Sequence, residues 1–280
     1  MQSASDEEER RQLAGPPCLH SGVTSCVDTL GGMPPRLNLF TNRERANSFG
    51  GAADNYDTYR PRYPDRLIED VLAPDAHRVL EAGAGTGIAS RQMIERGANV
   101  LAVEPDTRMA AVAQAKGIPV ELATFEDWDP AGRRFDRVVF AASFHWVDPA
   151  VALPKIRGLL NDGGKLALIW NRLRPTNPRR ADFEAIYRDY MDVETRSGDG
   201  NPGEVIDMIA AAGFSVTQRK YPHDLHYSAQ QWVDIAFTFS HQLILATDKA
   251  AELRARLIER IGSDGVSVGG DAVGIFATPI

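Results

Sequence analysis

The sequence predicts an α/β fold in which a largely parallel sheet carries helices on both faces. Three observations predict it. Short apolar runs alternate with amphipathic stretches from Tyr63 to Trp170, joined by brief connections. The runs are nearly continuous in Val, Leu, Ile and Ala, as strands covered on both faces require. The first run passes straight into VLEAGAGTGIAS (79–90), where glycines 83, 85 and 87 mark a junction between strand and helix.

The elements follow in order. YPDRLIEDVL (63–72) places Leu67, Ile68, Val71 and Leu72 at helical spacing, with Asp65 as the expected cap. HRVLEA (77–82) reads as a strand, 87–96 as a helix ended by Gly97, and NVLAVE (99–104) as the second strand. DTRMAAVAQAKG (106–117) is a helix stopped by Gly117, and IPVELA (118–123) a third strand. FDRVVFAA (135–142) is the fourth strand and DPAVALPKIRGLL (148–160) a helix. NDGG (161–164) is a turn before the fifth strand, KLALIW (165–170). Beyond it, 180–191, 202–213, 229–245 and 249–261 read as helices, 214–221 as a strand, and 271–280 as a closing strand.

Residues 1 to about 45 are rich in Gly, Pro, Ser and charge without a sustained period, and read as a flexible tail. Met33 is an alternative start, which would leave residues 1–32 outside the biological protein. The domain is expected over 46–280. The chain of 280 residues carries 31 basic and 38 acidic residues, a net charge of −7. That balance lacks the basic footprint of a nucleic-acid binder and favours a small-molecule or protein-bound substrate. The two cysteines, Cys18 and Cys26, both fall in the tail, which argues against a disulfide framework. The histidines show no metal-ligand spacing, so no metal is expected. No apolar run has the length of a membrane span, and MQSASDEEERRQ is acidic where a signal peptide is basic and then apolar. The expectation is a cytoplasmic monomer or homodimer.

The glycine spacing separates candidate ligands. Dinucleotide loops follow G-x-G-x-x-G, but here the third glycine is Gly87 and position 88 is Ile. No Lys follows the glycines as a P-loop requires. A further acidic residue, Glu81, precedes the first glycine by two positions, and Glu104 ends the second strand twenty-one residues after Gly83. A carboxylate about 20 residues beyond such a loop is placed to accept hydrogen bonds from ribose hydroxyls.

E-x-G-x-G-x-G, with Glu104, LATFEDWD (122–129), FDRVVFAASFHWVDP (135–149) and DGGKLALIWN (162–171), resembles the class I S-adenosylmethionine-dependent methyltransferases. FGGAADNYDTYRPRYP (49–64), FHWVD and LALIWN together resemble the subgroup that contains trans-aconitate methyltransferases. The resemblance implies a Rossmann-like class I methyltransferase fold, with a seven-stranded, mostly parallel sheet and a C-terminal helical cap over about 222–270. It implies S-adenosyl-L-methionine as donor and S-adenosyl-L-homocysteine as product. Glu81, Gly83, Ala84, Gly85, Gly87, Glu104 and Pro105 would then hold the donor. Thr124, Phe125 and Glu126 would meet its adenine, and Ala141 its methionine moiety. Tyr59 and Arg60 lie in a segment that folds over the methionine end in the enzymes resembled.

Tyr63, Phe144, Trp146 and Arg172 are candidate acceptor-binding residues, and His145 is either a base or a residue that only lines the pocket. Trp170 reads as core. Histidine's ordinary pKa of about 6.5 suits proton transfer, whereas an ionised carboxylate acceptor needs no base. The expected reaction is O-methylation of a small carboxylic acid. The alternatives are C-methylation of a quinone-type ring, methylation of a carrier-bound acyl acid, and a regulatory protein that binds the cofactor without turnover.

Overall fold

The computed structural model describes residues 48–191 and 202–280. The expected tail and the alternative start at Met33 lie outside them. Ten strands are present among the described residues: β1 (Arg78–Ala82), β2 (Asn99–Glu104), β3 (Val120–Leu122), β4 (Phe135–Ala141), β5 (Leu160–Asn171), β6 (Arg174–Asn177), β7 (Phe214–Pro222), β8 (Leu225–Tyr227), β9 (Val266–Gly269) and β10 (Asp271–Pro279). Seven form one sheet in the order β3-β2-β1-β4-β5-β10-β7. β10 runs antiparallel to both neighbours, and β1 to β5 are mutually parallel. The order reverses between β1 and β4, so a crevice opens at the carboxyl ends of those two strands.

The helices are α1 (Ala53–Tyr59), α2 (Asp65–Leu72), α3 (Ile88–Ile94), α4 (Thr107–Ala115), α5 (Pro149–Leu159), α6 (Arg180–Tyr187), α7 (Pro202–Ala211), α8 (Ala229–Ala236), α9 (Ser240–Leu243) and α10 (Thr247–Ile261). Side chains alternate strictly between the sheet's faces. Leu80, Val138, Leu166 and Leu168 pack with α5 and α7 on one face. Val79, Val139, Ala167 and Ile169 pack with α2 and α3 on the other. Leu67, Ile68 and Val71 of α2 are completely buried, each stabilising the fold by about 1.5–3 kcal/mol. The end of α2 is held by Arg137 of β4, which donates to the carbonyls of Val71 (2.8 Å) and Ala73.

A second, smaller layer covers one end of the sheet. β6, β9 and β8 make an antiparallel three-stranded sheet. With α6, α8 and α10 it encloses its own core of Phe183, Tyr187, Trp232, Phe237, Leu253 and Leu257. This layer draws on residues 174–187 as well as on 225–269.

Several local expectations change. Asp65 is the first residue of α2 rather than its cap, which is Pro64; its carboxylate pairs with Arg96. NDGG lies inside β5 as an irregularity, between the pairs Phe135–Leu160 and Arg137–Lys165. The single helix expected over 229–245 is broken at Phe237–Phe239 into α8 and α9. There the Thr238 hydroxyl donates to the Ile235 carbonyl at 2.6 Å, a local bond that competes with the helix ladder. The three short cap strands have no counterpart in the sequence reading, because each pairs with a partner distant in sequence.

Candidate functional site

The loop after β1 is shaped by its glycines. Gly83 (φ 66°) carries no side chain because a Cβ there would stand 2.6 Å from the Cβ of Ser143. Ser143 in turn donates to the carbonyl of Ala82 at 2.5 Å, which joins the ends of β1 and β4. Gly87 (φ 78°) packs behind the loop, where a Cβ would collide with the Ile118 side chain. The chain leaving β4 is also strained: Ala142 has φ 56°, in a region alanine seldom occupies. Its N–H donates to Ile169 at 2.8 Å, which holds it there.

These loops form the floor of a cleft of about 230 Å³. Glu104 lies in its wall, 7% exposed. One carboxylate oxygen accepts from the N–H of Gly85 (2.8 Å) and the other from that of Asp106 (2.9 Å). Burial raises the pKa of Glu104, and the two N–H donors oppose that rise. The carboxylate is thus oriented, with lone pairs left for a ligand's vicinal hydroxyls.

Beyond Glu104 the cleft is bounded by Thr124, Phe125 and Glu126. Lys155 of α5 holds this segment by donating to the carbonyls of Phe125 (2.8 Å), Glu126 (3.0 Å) and Trp128. The Glu126 carboxylate accepts from the N–H of Asp148 at 2.9 Å. Phe125 is 3% exposed and meets Phe140 edge-on, so it serves core and cleft together.

The opposite end is walled by aromatic rings. Phe49 stands edge-on to Tyr56 and to Trp146, with centroids 6.0 and 5.9 Å apart. Trp146 packs on His145 at 4.8 Å. Arg60 crosses from the segment after α1 to the cap. Its Nε donates to the Thr238 hydroxyl (2.8 Å) and its Nη2 to the Thr238 carbonyl (3.1 Å). Its guanidinium lies over Phe239 and Tyr56, 3.9 and 4.8 Å from the ring centres.

A smaller cavity of about 50 Å³ adjoins the cleft, and Tyr56, Arg60, Ala84, Ala141 and Asn171 line both. Glu81 and Tyr63 face only the smaller one. Glu81 is 1% exposed and accepts from the Ser90 hydroxyl; burial pushes its pKa up to about 7. The backbone of Tyr63 is clamped by Gln92, whose amide accepts from its N–H (2.9 Å) and donates to its carbonyl (2.8 Å).

Gly83, Ala84, Gly85, Glu104, Pro105, Thr124, Phe125, Glu126, Ala141, Arg60, His145 and Trp146 therefore line one cleft. Six expected contacts lie off it, of which Glu81 and Tyr63 line the smaller cavity and four line neither. Gly87 faces Ile118 and Ala113. Tyr59 lines neither cavity. Phe144 is buried edge-on against Phe140. Arg172 lines neither cavity, and its backbone N–H donates to Asp271 at 3.3 Å. Trp170, expected in the core, lines the cleft because it sits at the carboxyl end of β5. Ala142 and Ser143, the small residues that follow β4, also line the cleft. Phe239, Ser240 and His241 also line the cleft and carry no local signal, since the cap brings them there.

The donor set fits S-adenosylmethionine. An oriented carboxylate suits its ribose, side-chain-free backbone at Gly83 and Gly85 admits close approach, and the buried Glu81 beside the adjoining cavity suits a cationic tail. Among the described residues no group of three or more His, Cys, Asp or Glu could hold a metal ion. No described helix is long and apolar enough to cross a membrane.

Comparison with known proteins agrees with this geometry. A profile of the methyltransferase domain matches residues 80–168. An uncharacterised methyltransferase of Mycobacterium tuberculosis is 31% identical over 226 residues, covering 79% of this chain and 86% of the relative. Two solved structures share the fold. One is a candidate type II methyltransferase from Anaeromyxobacter dehalogenans, with a TM-score of 0.56 at 20% identity, covering 79% of this chain and 98% of that one. The other is a Haemonchus contortus phosphoethanolamine N-methyltransferase, with a TM-score of 0.52 at 15% identity, covering 87% of this chain and 59% of that one. With its strand order and its glycine loop at the β1–β4 crevice, the chain belongs to the class I S-adenosylmethionine-dependent methyltransferases.

Proposed function

We propose that this methyltransferase esterifies a small carboxylic acid. The observation that carries the reading is the charge layout of the cleft. Its carboxylates Glu104, Asp106 and Glu126 each already accept backbone N–H bonds. Arg60 and the imidazoles of His145 and His241 line the cleft as well. The Nε and Nη2 of Arg60 are engaged by Thr238, which leaves Nη1 for an anion.

Bound S-adenosylmethionine supplies a sulfonium-activated methyl, and transfer to a nucleophile leaves S-adenosylhomocysteine. The chain's task is to orient and to exclude water, which can supply about 7–11 kcal/mol of the barrier. Glu104 holds the ribose, the 124–126 segment the adenine, and Ala141 and Ala142 keep the end of β4 narrow beside the reacting centre. Phe49, Tyr56, Trp146 and Phe239 close the acceptor end against solvent. A carboxylate is ionised at neutral pH, so His145 acts on this reading as an orienting wall residue. On this reading the domain spans 46–280.

The test is incubation of the enzyme with S-adenosylmethionine and a panel of carboxylic acids, phenols and quinols, followed by mass spectrometry of the products. A base-labile methyl ester supports the reading, and His145→Ala then slows turnover less than about tenfold. The aromatic wall favours a second reading, methylation of a ring carbon. A base-stable methylated ring, with a loss of about 10²–10⁴-fold in His145→Ala, would establish it and overturn the first.

A further inference from the structure

Asn171 ends β5 and lines both the cleft and the smaller cavity beside it. Its amide is locked. Nδ2 donates to the carbonyls of Pro61 and Arg62, each at 3.1 Å. Those two bonds fix which end of the amide is nitrogen and which way the oxygen points. The oxygen Oδ1 is buried and has no hydrogen-bond partner among the described residues. A buried carbonyl without a donor is costly and uncommon in folded proteins. Here it stands in a residue that walls a ligand cavity, at the carboxyl end of a central strand, where parallel sheets bind ligands. The same cavity is lined by Glu81, a carboxylate. A pocket that joins a carboxylate and an unpartnered carbonyl is complementary to an ammonium group.

We infer that Asn171 Oδ1 accepts a hydrogen bond from the α-ammonium group of the cofactor's methionyl end. The inference rests on the cofactor assignment above. The carbonyls of Pro61 and Arg62 orient the amide, so the segment after α1 sets this acceptor in place before the ligand arrives. Asn171 is therefore a binding residue, and the 60–63 segment its positioning element.

The test is calorimetric titration of the full chain with three ligands: S-adenosylhomocysteine, its desamino analogue, and 5′-methylthioadenosine, which lacks the whole amino-acid tail. The wild-type chain should bind S-adenosylhomocysteine more tightly than the desamino analogue. In Asn171→Leu the affinity for S-adenosylhomocysteine should fall roughly 10- to 100-fold, as for loss of a hydrogen bond to a charged group. The affinities for the other two ligands should change less than about threefold. Asn171→Ser, with its smaller packing change, should show the same selective loss and serves if the leucine variant does not fold. Equal weakening of all three ligands would mean that Asn171 only supports the 60–63 segment, and would overturn the inference. Unchanged affinities would overturn it too. A wild-type chain that binds none of the three would defeat the cofactor assignment itself, and this inference with it.

Discussion

Glu81 shows how one residue can oppose the stability of the fold that contains it. It is buried beside the smaller cavity, where the Ser90 hydroxyl donates to it. Its pKa stands near 7, against 4.5 for an ordinary glutamate. Between those values the folded chain keeps a proton that the unfolded chain has released. The contribution of Glu81 to stability is therefore fullest below about pH 4.5 and is lost as pH rises through 7. The loss is on the order of 3 kcal/mol. Glu81→Gln keeps an acceptor for Ser90 and removes the titration. In urea unfolding it should match the parent near pH 5 and exceed it at pH 8; a difference that stays constant with pH would contradict the role given to burial. At this scale the sequence was readable where spacing is local. Glu81, the loop glycines and Glu104 follow one another within a strand, a turn, a helix and the next strand. Asn171 was not readable, because its buried carbonyl becomes exceptional only when Pro61 and Arg62 orient the amide.

Elements explain how the adenine side of the cleft is held. The 124–128 segment has no regular ladder of its own, and α5 supplies the missing donors through Lys155. Burial lowers the pKa of this ammonium, and it remains matched to three carbonyls at once. Lys155→Met should release the segment and weaken binding of S-adenosylhomocysteine and 5′-methylthioadenosine by the same factor, roughly 5- to 50-fold, since both carry adenine. An effect confined to S-adenosylhomocysteine would place the action of Lys155 elsewhere. The periodicity of 148–160 announces the helix, but it does not show which polar residue will turn inward. The break between α8 and α9 was hidden for a similar reason. Apolar spacing continues through 229–245, and it does not show the bonds of Thr238 to Ile235 and Arg60 at the interruption.

Across the whole molecule, the sheet and the cap meet over the cleft through Arg60. The segment after α1 supplies the guanidinium, and the junction of α8 and α9 supplies Thr238 and Phe239. Two hydrogen bonds and a stacked ring depend on a planar fork, which Lys does not reproduce. Arg60→Lys should therefore behave like Arg60→Leu, each lowering stability by about 1–3 kcal/mol in urea unfolding. Each should also speed proteolytic cleavage within 48–63. Parent-like protease resistance in Arg60→Leu would show that the seam is held by other contacts.

What the sequence by itself determined is the sheet and its ligand edge. Buried strands must be apolar, helices must bury a stripe, and a backbone that approaches a ligand must shed its side chains; each of these constraints is written in neighbouring residues. The strand order, and hence the crevice, follows from how such units wind. What only the tertiary structure decided is the acceptor end. Phe49, Trp170, Phe239 and His241 meet there from segments up to 192 positions apart. Their meeting depends on a cap core of Phe183, Trp232 and Leu253 that no local pattern encodes. Long-range packing places those side chains, so the cleft's donor end is legible in the chain and its acceptor end is legible only in the fold.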